Sequence, residues 1–271
     1  MVKIITDSSS NITQEEAKAL GVTVMPLTIN FGTEEFRDGL DINCEEFYEK
    51  LATDKEFPHT SQLTEDQIET AVISALKEAD EVLLMPLASV LSGSYERCKA
   101  VAQKYENVYV CDTKCTTVML KLCVTEALKM ADKSAAEIMA MVDALRPKLK
   151  IYACLDTLEN LRKGGRLSNI SAIIGSVLKI KPVITFGLDG KVEMLSKQFG
   201  MSKGLSHIAS LVDKNKIDFL KPVYLIYTAN DKNACSLLEK LKIECSEKSN
   251  ICPVIGTHIG TDAAGIVYCE I

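Results

Sequence analysis

The chain has 271 residues, 47% of them hydrophobic and 25% charged, which is ordinary for a globular protein of one large or two modest domains. No apolar run approaches the length that spans a bilayer, and a net charge of -6 argues against general nucleic-acid binding. The ten cysteines form no Cys-x-x-Cys pair and mostly lie in apolar runs, so they read as reduced thiols rather than a disulfide framework. His59, His207 and His258 fall in no metal-ligand spacing, so neither a metal site nor a metal cofactor is expected. The first residues, Met1-Val2-Lys3-Ile4-Ile5-Thr6-Asp7, reach polar side chains too soon for a signal peptide, and the expected location is the cytoplasm.

In chain order, residues 2–6 form an expected strand that ends in the polar turn Asp7-Ser8-Ser9-Ser10-Asn11. A helix follows to Leu20 and stops at Gly21. Residues 22–31 are strand-like, and Gly32-Thr33-Glu34-Glu35 turns the chain. Asn43 with Glu46 starts a helix carrying Phe47, Tyr48 and Leu51, and residues 54–62 read as a loop. Thr64 and Gln67 form a capping box. Residues 82–87 are a continuous apolar run, as in a strand buried on both faces, and a hydroxyl-rich turn and a helix follow. Residues 108–111 are another strand, 116–130 a long helix, and Ser134 with Glu137 caps one more.

Strands alternating with helices predict an α/β fold whose N-terminal domain is a parallel sheet with helices on both faces. A boundary is expected near Lys150, dividing the chain into domains 1–150 and 151–271 without a flexible linker or internal repeat. The second part predicts a further α/β domain with a mixed sheet. It has strands at 150–155 and 183–186, a hairpin at Asp189-Gly190, and a strand at 191–195. Residues 158–163 and 170–178 are expected helical, as are 201–212 and 231–245. Strands are expected at 223–228 and 252–256, with a turn at Thr257-His258-Ile259-Gly260 before a last strand.

Four hydroxyl-bearing turns stand out: Ser8-Ser9-Ser10, Thr60-Ser61, residues 89–94, and Thr116-Thr117. In a doubly wound sheet the loops at strand C-termini share one edge, where ligands bind. A helix opening from a Ser/Gly turn offers N–H groups and hydroxyls to an anion; a plain Ser92 helix cap explains the same residues. His258, between Gly256 and Gly260, is a candidate donor at a sheet edge. Ser92 and His258 also raise a serine hydrolase, although Gly-x-Ser-x-Gly is absent and no acid is singled out. A small phosphorylated ligand at the same helix start is a further alternative. Arg162, Lys163, Arg166, Lys179 and Lys181 form a basic stretch free of acidic residues, read either as a solvated face or as a docking face for an acidic partner.

Several segments carry a resemblance. Residues 4–10, residues 30–39, Thr60-Ser61-Gln62, residues 89–95, residues 155–166, and Gly256-Thr257-His258-Ile259-Gly260 occur in the order and form of DegV-family proteins, over nearly the whole chain. The resemblance implies a protein that binds one long-chain fatty acid between two α/β domains. Some members of that family serve as the binding subunit of a bacterial fatty acid kinase and present the acyl carboxylate to a separate kinase. It further implies a carrier without catalytic residues or a cofactor, with the fatty acid itself as ligand. Thr60, Ser61, Ser92, Gly93 and His258 are the expected head-group residues, and Ile173, Ile174, Val177 and Leu178 are candidates for the tail. Three departures from the family pattern are Leu63 in place of a proline, Ser196-Lys197-Gln198-Phe199-Gly200 in place of a basic stretch, and Thr261-Asp262 after Gly260.

Overall fold

A computed structural model describes residues 1–54, 56–167 and 180–271. The first part of the chain runs β1 (Val2–Asp7), α1 (Gln14–Leu20), β2 (Thr23–Met25), β3 (Thr28–Phe31), β4 (Glu34–Arg37), α2 (Cys44–Thr53), β5 (His59–Ser61) and α3 (Glu65–Ala75). It continues through β6 (Glu81–Met85), α4 (Ser94–Ala102), β7 (Val108–Val110), α5 (Thr117–Leu128) and α6 (Ala135–Leu145). The second part holds β8 (Leu149–Cys154), α7 (Glu159–Lys163), β9 (Ile180–Phe186), β10 (Val192–Phe199) and α8 (Met201–Leu211). It ends with β11 (Tyr224–Tyr227), α9 (Lys232–Leu241), β12 (Glu247–Asn250), α10 (Pro253–Ile259) and β13 (Ala264–Cys269).

The fold is α/β. The four strands β2-β1-β6-β7 form an all-parallel sheet, with α3 and α4 packed on one side and α5 and α6 on the other. Six strands in the order β10-β9-β8-β13-β11-β12 make a mixed sheet in which only β11 and β12 run parallel. A small antiparallel sheet, β4-β3-β5, completes the set. Capping boxes start α1, α2, α3 and α6 at Thr13, Asn43, Thr64 and Ser134, as the sequence signals for the last three predict.

The mixed sheet is buried on both faces. Side chains alternate along β8, so Ile151, Ala153 and Leu155 join one apolar cluster while Cys154 joins another beneath α8 and α9. The first cluster runs without interruption into the helices of the parallel sheet. Between the two sheets lies α5, buried from Thr117 through Val124, a helix that is apolar almost all round. Its one buried cation, Lys121, is 5% exposed and reaches Glu16 Oε1 at 2.7 Å and Glu247 Oε1 at 3.3 Å.

Several expected elements differ; the turn over 32–35 is confined to Gly32-Thr33, because Glu34 and Glu35 already pair with β3 as the start of β4. The strand over 22–31 is two strands, broken at Pro26, which has no N–H to give a ladder; Leu27 N–H donates to Ser8 Oγ instead. The loop over 54–62 contains β5, whose three residues pair with β3. The helix over 231–245 stops at Leu241, where Lys242 is left-handed, and the polar strand β12 follows with no apolar alternation to announce it. The strand over 252–256 and the turn after it are one helix, α10. Its apolar run suits strand or helix alike, and Pro253 is accepted in the first turn of the helix.

Candidate functional site

The turn Asp7-Ser8-Ser9-Ser10 is architectural. Asp7 accepts hydrogen bonds from Ser9 N–H, Ser9 Oγ and Leu87 N–H, and burial pushes its carboxyl above the ordinary aspartate range. These bonds fix the chain as it leaves β6. Ser89 then donates to Asp112 through both N–H and Oγ, tying the loop after β6 to the loop after β7.

Within this frame lies a cavity of about 890 Å³, counted with its open mouth. Its wall includes Leu27, Leu87, Leu91, Ile151, Ala153, Leu155, Leu161, Ile184, Ile226 and Val254. The expected site residues Thr60, Ser61, Ser92 and His258 line it, joined by Gln62 and Arg166. Gly93 is exposed and is not among the lining residues; it is the N-cap of α4, with Gln62 packed against its Cα. Ser61 is exposed at the mouth and donates to Asn30 Oδ1 at 3.4 Å. The tail candidates Ile173, Ile174, Val177 and Leu178 lie outside the described residues.

The helix α10 brings His258 to Thr60. The first half of the chain holds this helix in place. Asn11 donates to Asn250 O and Ser249 Oγ and accepts from Cys252 N–H, while Tyr48 Oη donates to Ile251 O. Asp38, 1% exposed, accepts from Val254 N–H at the helix start. Gly256 touches α2 so closely that a Cβ there would lie 2.5 Å from Tyr48 Oη and 2.8 Å from a Phe47 ring carbon. At the other end of α10, His258 Nε2 lies 3.0 Å from Thr60 Oγ1. Nδ1 sits against Gly164 with no hydrogen-bond partner among the described residues. Burial foremost, then the Arg166 guanidinium and His59, push the His258 pKa down to about 4, so the imidazole is neutral at pH 7.

Ser92 does not cap α4, correcting that reading; no side chain does, and Gly93 stands at the cap. The Ser92 hydroxyl accepts from Ser94 N–H at 3.2 Å and lies 3.0 Å from Ser94 Oγ. Ser94 Oγ also accepts from Leu63 N–H at 3.2 Å. Proline has no such N–H, so the departure at Leu63 adds a bond that fixes Ser94, and through it Ser92.

The family model described as "Uncharacterised protein, DegV family" matches residues 1–270. The chain belongs to the DegV family. A DegV domain-containing protein of Caldanaerobacter subterraneus is 32% identical, the match covering 99% of each chain. Protein DegV of Bacillus subtilis is 28% identical, again over 99% of each. Among solved structures, a DegV family protein from Thermus thermophilus described by its fatty acid binding is similar at a TM-score of 0.89 and 26% identity, covering 100% of this chain and 99% of that one. The structure of Bacillus subtilis DegV, described as a fatty acid binding protein, is similar at 0.88 and 26%, with the same coverage.

This DegV-family chain does not assemble a hydrolase relay. His258 bonds Thr60 rather than Ser92, and among the described residues no carboxylate meets Nδ1. Two of the five residues of its basic stretch pair with flanking acids: Arg162 with Glu159, and Lys181 with Asp156. Lys163 stands over the Phe57 ring at 5.2 Å, and Lys179 lies outside the described residues. Arg166 turns inward, donating to Leu91 O and Gly164 O at the cavity wall. The sequence signal of an arginine directly after Gly164-Gly165 points to a backbone-bracing role, which charge counting alone passes over.

Proposed function

We propose that this protein binds one long-chain fatty acid in the cavity between its N-terminal and C-terminal α/β domains. The carboxylate lies at the Thr60, Ser92 and His258 end, with Arg166 the nearby cation, and Ser61 and Gly93 border the mouth. The tail follows β8 past Leu155, Ala153 and Ile151. The observation that carries this reading is the Thr60–His258 contact, because it puts a hydroxyl–imidazole pair from both halves of the chain at one end of a largely apolar cavity. Hydroxyls, a guanidinium and an imidazole suit a carboxylate. About 14 methylenes at about 0.8 kcal/mol each give roughly 11 kcal/mol gross for the tail, less the cost of ordering it.

The protein acts as a carrier rather than a catalyst. It offers the carboxylate at the cavity mouth to a separate acyl-phosphorylating kinase, a role that rests on the family resemblance. Solvent extraction and mass spectrometry of the purified protein test the ligand, with a long-chain fatty acid as the expected species. A protein that yields none, and takes up none on titration, would sink the reading.

A further inference from the structure

The polar end of the cavity carries one more side chain. Gln62 follows the Thr60-Ser61 pair and lines the cavity together with Ser92 and His258. Its amide lies against the Cα of Gly93, so close that a Cβ at position 93 would collide with it. Arg97, one turn along α4, meets the other side of the same amide.

Arg97 decides which way that amide faces. A guanidinium has donors and no acceptor, so Arg97 Nε and Nη2 donate to Gln62 Oε1, at 2.7 and 2.9 Å. The opposite side of the amide faces only acceptors, which suits the nitrogen alone. The Gln62 NH2 group therefore stands over Gly93, the residue after Ser92. Nearby on α4, Lys99 pairs with Glu96, whereas among the described residues Arg97 has no acidic partner to draw it from Gln62. The segment is also tied to α4 by its main chain, since Leu63 N–H donates to Ser94 Oγ. With the loop already held there, what the Arg97 contact adds is the orientation of the amide. A carboxylate accepts only, so an NH2 group beside Ser92 suits it. The other nitrogen groups at this end are engaged: Arg166 donates to Leu91 O and Gly164 O, and His258 Nε2 meets Thr60 Oγ1.

We propose that Gln62 donates an amide N–H to the fatty-acid carboxylate, and that Arg97 is the positioning residue that turns the amide toward it. This rests on the fatty-acid reading above and names two further residues of the same site. The test is calorimetric titration of wild type and variants with tetradecanoic acid and tetradecanol, which share a tail and differ in head-group charge. Gln62→Glu keeps the shape and the bond to Arg97 but turns an anionic oxygen toward the ligand. It is expected to bind the acid roughly tenfold or more weakly and the alcohol about as wild type does. Arg97→Met is expected to lower the preference for acid over alcohol, and to have no such effect where Gln62 is already alanine. Gly93→Ala, whose Cβ pushes the amide aside, is expected to match Gln62→Ala. A wild type without preference for the acid, or a preference that survives in Gln62→Glu or Gln62→Ala, overturns the proposal and leaves the fatty-acid reading standing. A loss from Arg97→Met that persists in the Gln62→Ala background means that Arg97 acts through its own charge and overturns its positioning role. A wild type that binds neither ligand defeats both readings. Melting temperature monitors folding; Gln62 is exposed, and should one of its variants not fold, the other decides.

Discussion

Thr60 Oγ1 and His258 Nε2 lie 3.0 Å apart although 198 positions separate them in the chain. The contact depends on β5 standing at one edge of the small sheet and on α10 being docked by residues from the other half of the molecule.

The first prediction concerns this pair. Thr60→Ala and His258→Ala should each weaken fatty-acid binding about tenfold, the value of one hydrogen bond to a charged group. Ser92→Ala should do likewise, with a modest fall in melting temperature because its hydroxyl also accepts from the buried Ser94 N–H. Titration of the three variants with a long-chain fatty acid checks this. Wild-type affinity throughout would place the head group elsewhere.

The second concerns pH. His258 titrates near 4 in the folded protein, below its ordinary 6.5, so the unfolded chain binds the extra proton between those values. Its contribution to stability is complete above about pH 6.5 and is lost as pH falls toward 4, on the order of 3 kcal/mol in all. Asp38 has the opposite sign. Burial, against hydrogen bonds from Ser8 and Val254, pushes its pKa up to about 7, so its contribution is full below about 3.8 and is lost as pH rises through 7. The two offset each other between pH 4.5 and 6.5. His258→Gln should therefore make stability fall with rising pH in that window, and Asp38→Asn should make it rise. Urea unfolding at three pH values reads both slopes; slopes parallel to wild type in both variants would refute the pairing.

A third prediction follows from Gly256. Alanine there places its Cβ against Tyr48 Oη and the Phe47 ring, both buried, so the helix must shift. Overpacking of this kind costs about 1–3 kcal/mol. Because the displaced helix carries His258, Gly256→Ala should lose fatty-acid affinity as well as stability. A variant that loses stability but binds as wild type would show that α10 moves without moving the histidine.

The fourth concerns Lys121, which bridges Glu16 of α1 and Glu247 of β12 from within the buried helix α5. Lys121→Met keeps the apolar stem and removes the charge. Both glutamates stay part-exposed, at 38% and 42%, and can hydrate. The expected loss is about 1–2 kcal/mol, below the 3–5 kcal/mol typical when a fully buried partner is stranded. Denaturant melts of the variant measure it; a loss above that range would mean the acids are effectively buried.

Much of the fold was legible where local chemistry is strong. Capping residues at Asn43, Thr64 and Ser134, the apolar strand before Pro86 and the Asp189-Gly190 hairpin all act within a few residues of themselves. What escaped depends on distant partners. β12 is a strand only because β11 offers it a ladder, and α10 is a helix with its start held by Asp38, more than two hundred residues earlier. The same division runs through the candidate site. Thr60, Ser92 and His258 could be named from their residue types and segments. The inward turn of Arg166 depends on the carbonyl oxygens of Leu91 and Gly164, and only the first of these is remote in sequence.

The strand nearest the end of the chain, β13, lies in the middle of the mixed sheet, between β8 and β11. During synthesis at about 5–20 residues per second, the 198 positions between Thr60 and His258 take roughly 10–40 s to make. Over that interval the nascent chain has Thr60 and Ser92 but neither His258 nor the strand that joins β8 to β11. The Thr60–His258 contact and the joining of β8 to β11 through β13 are therefore late events in synthesis relative to the rest of the mixed sheet.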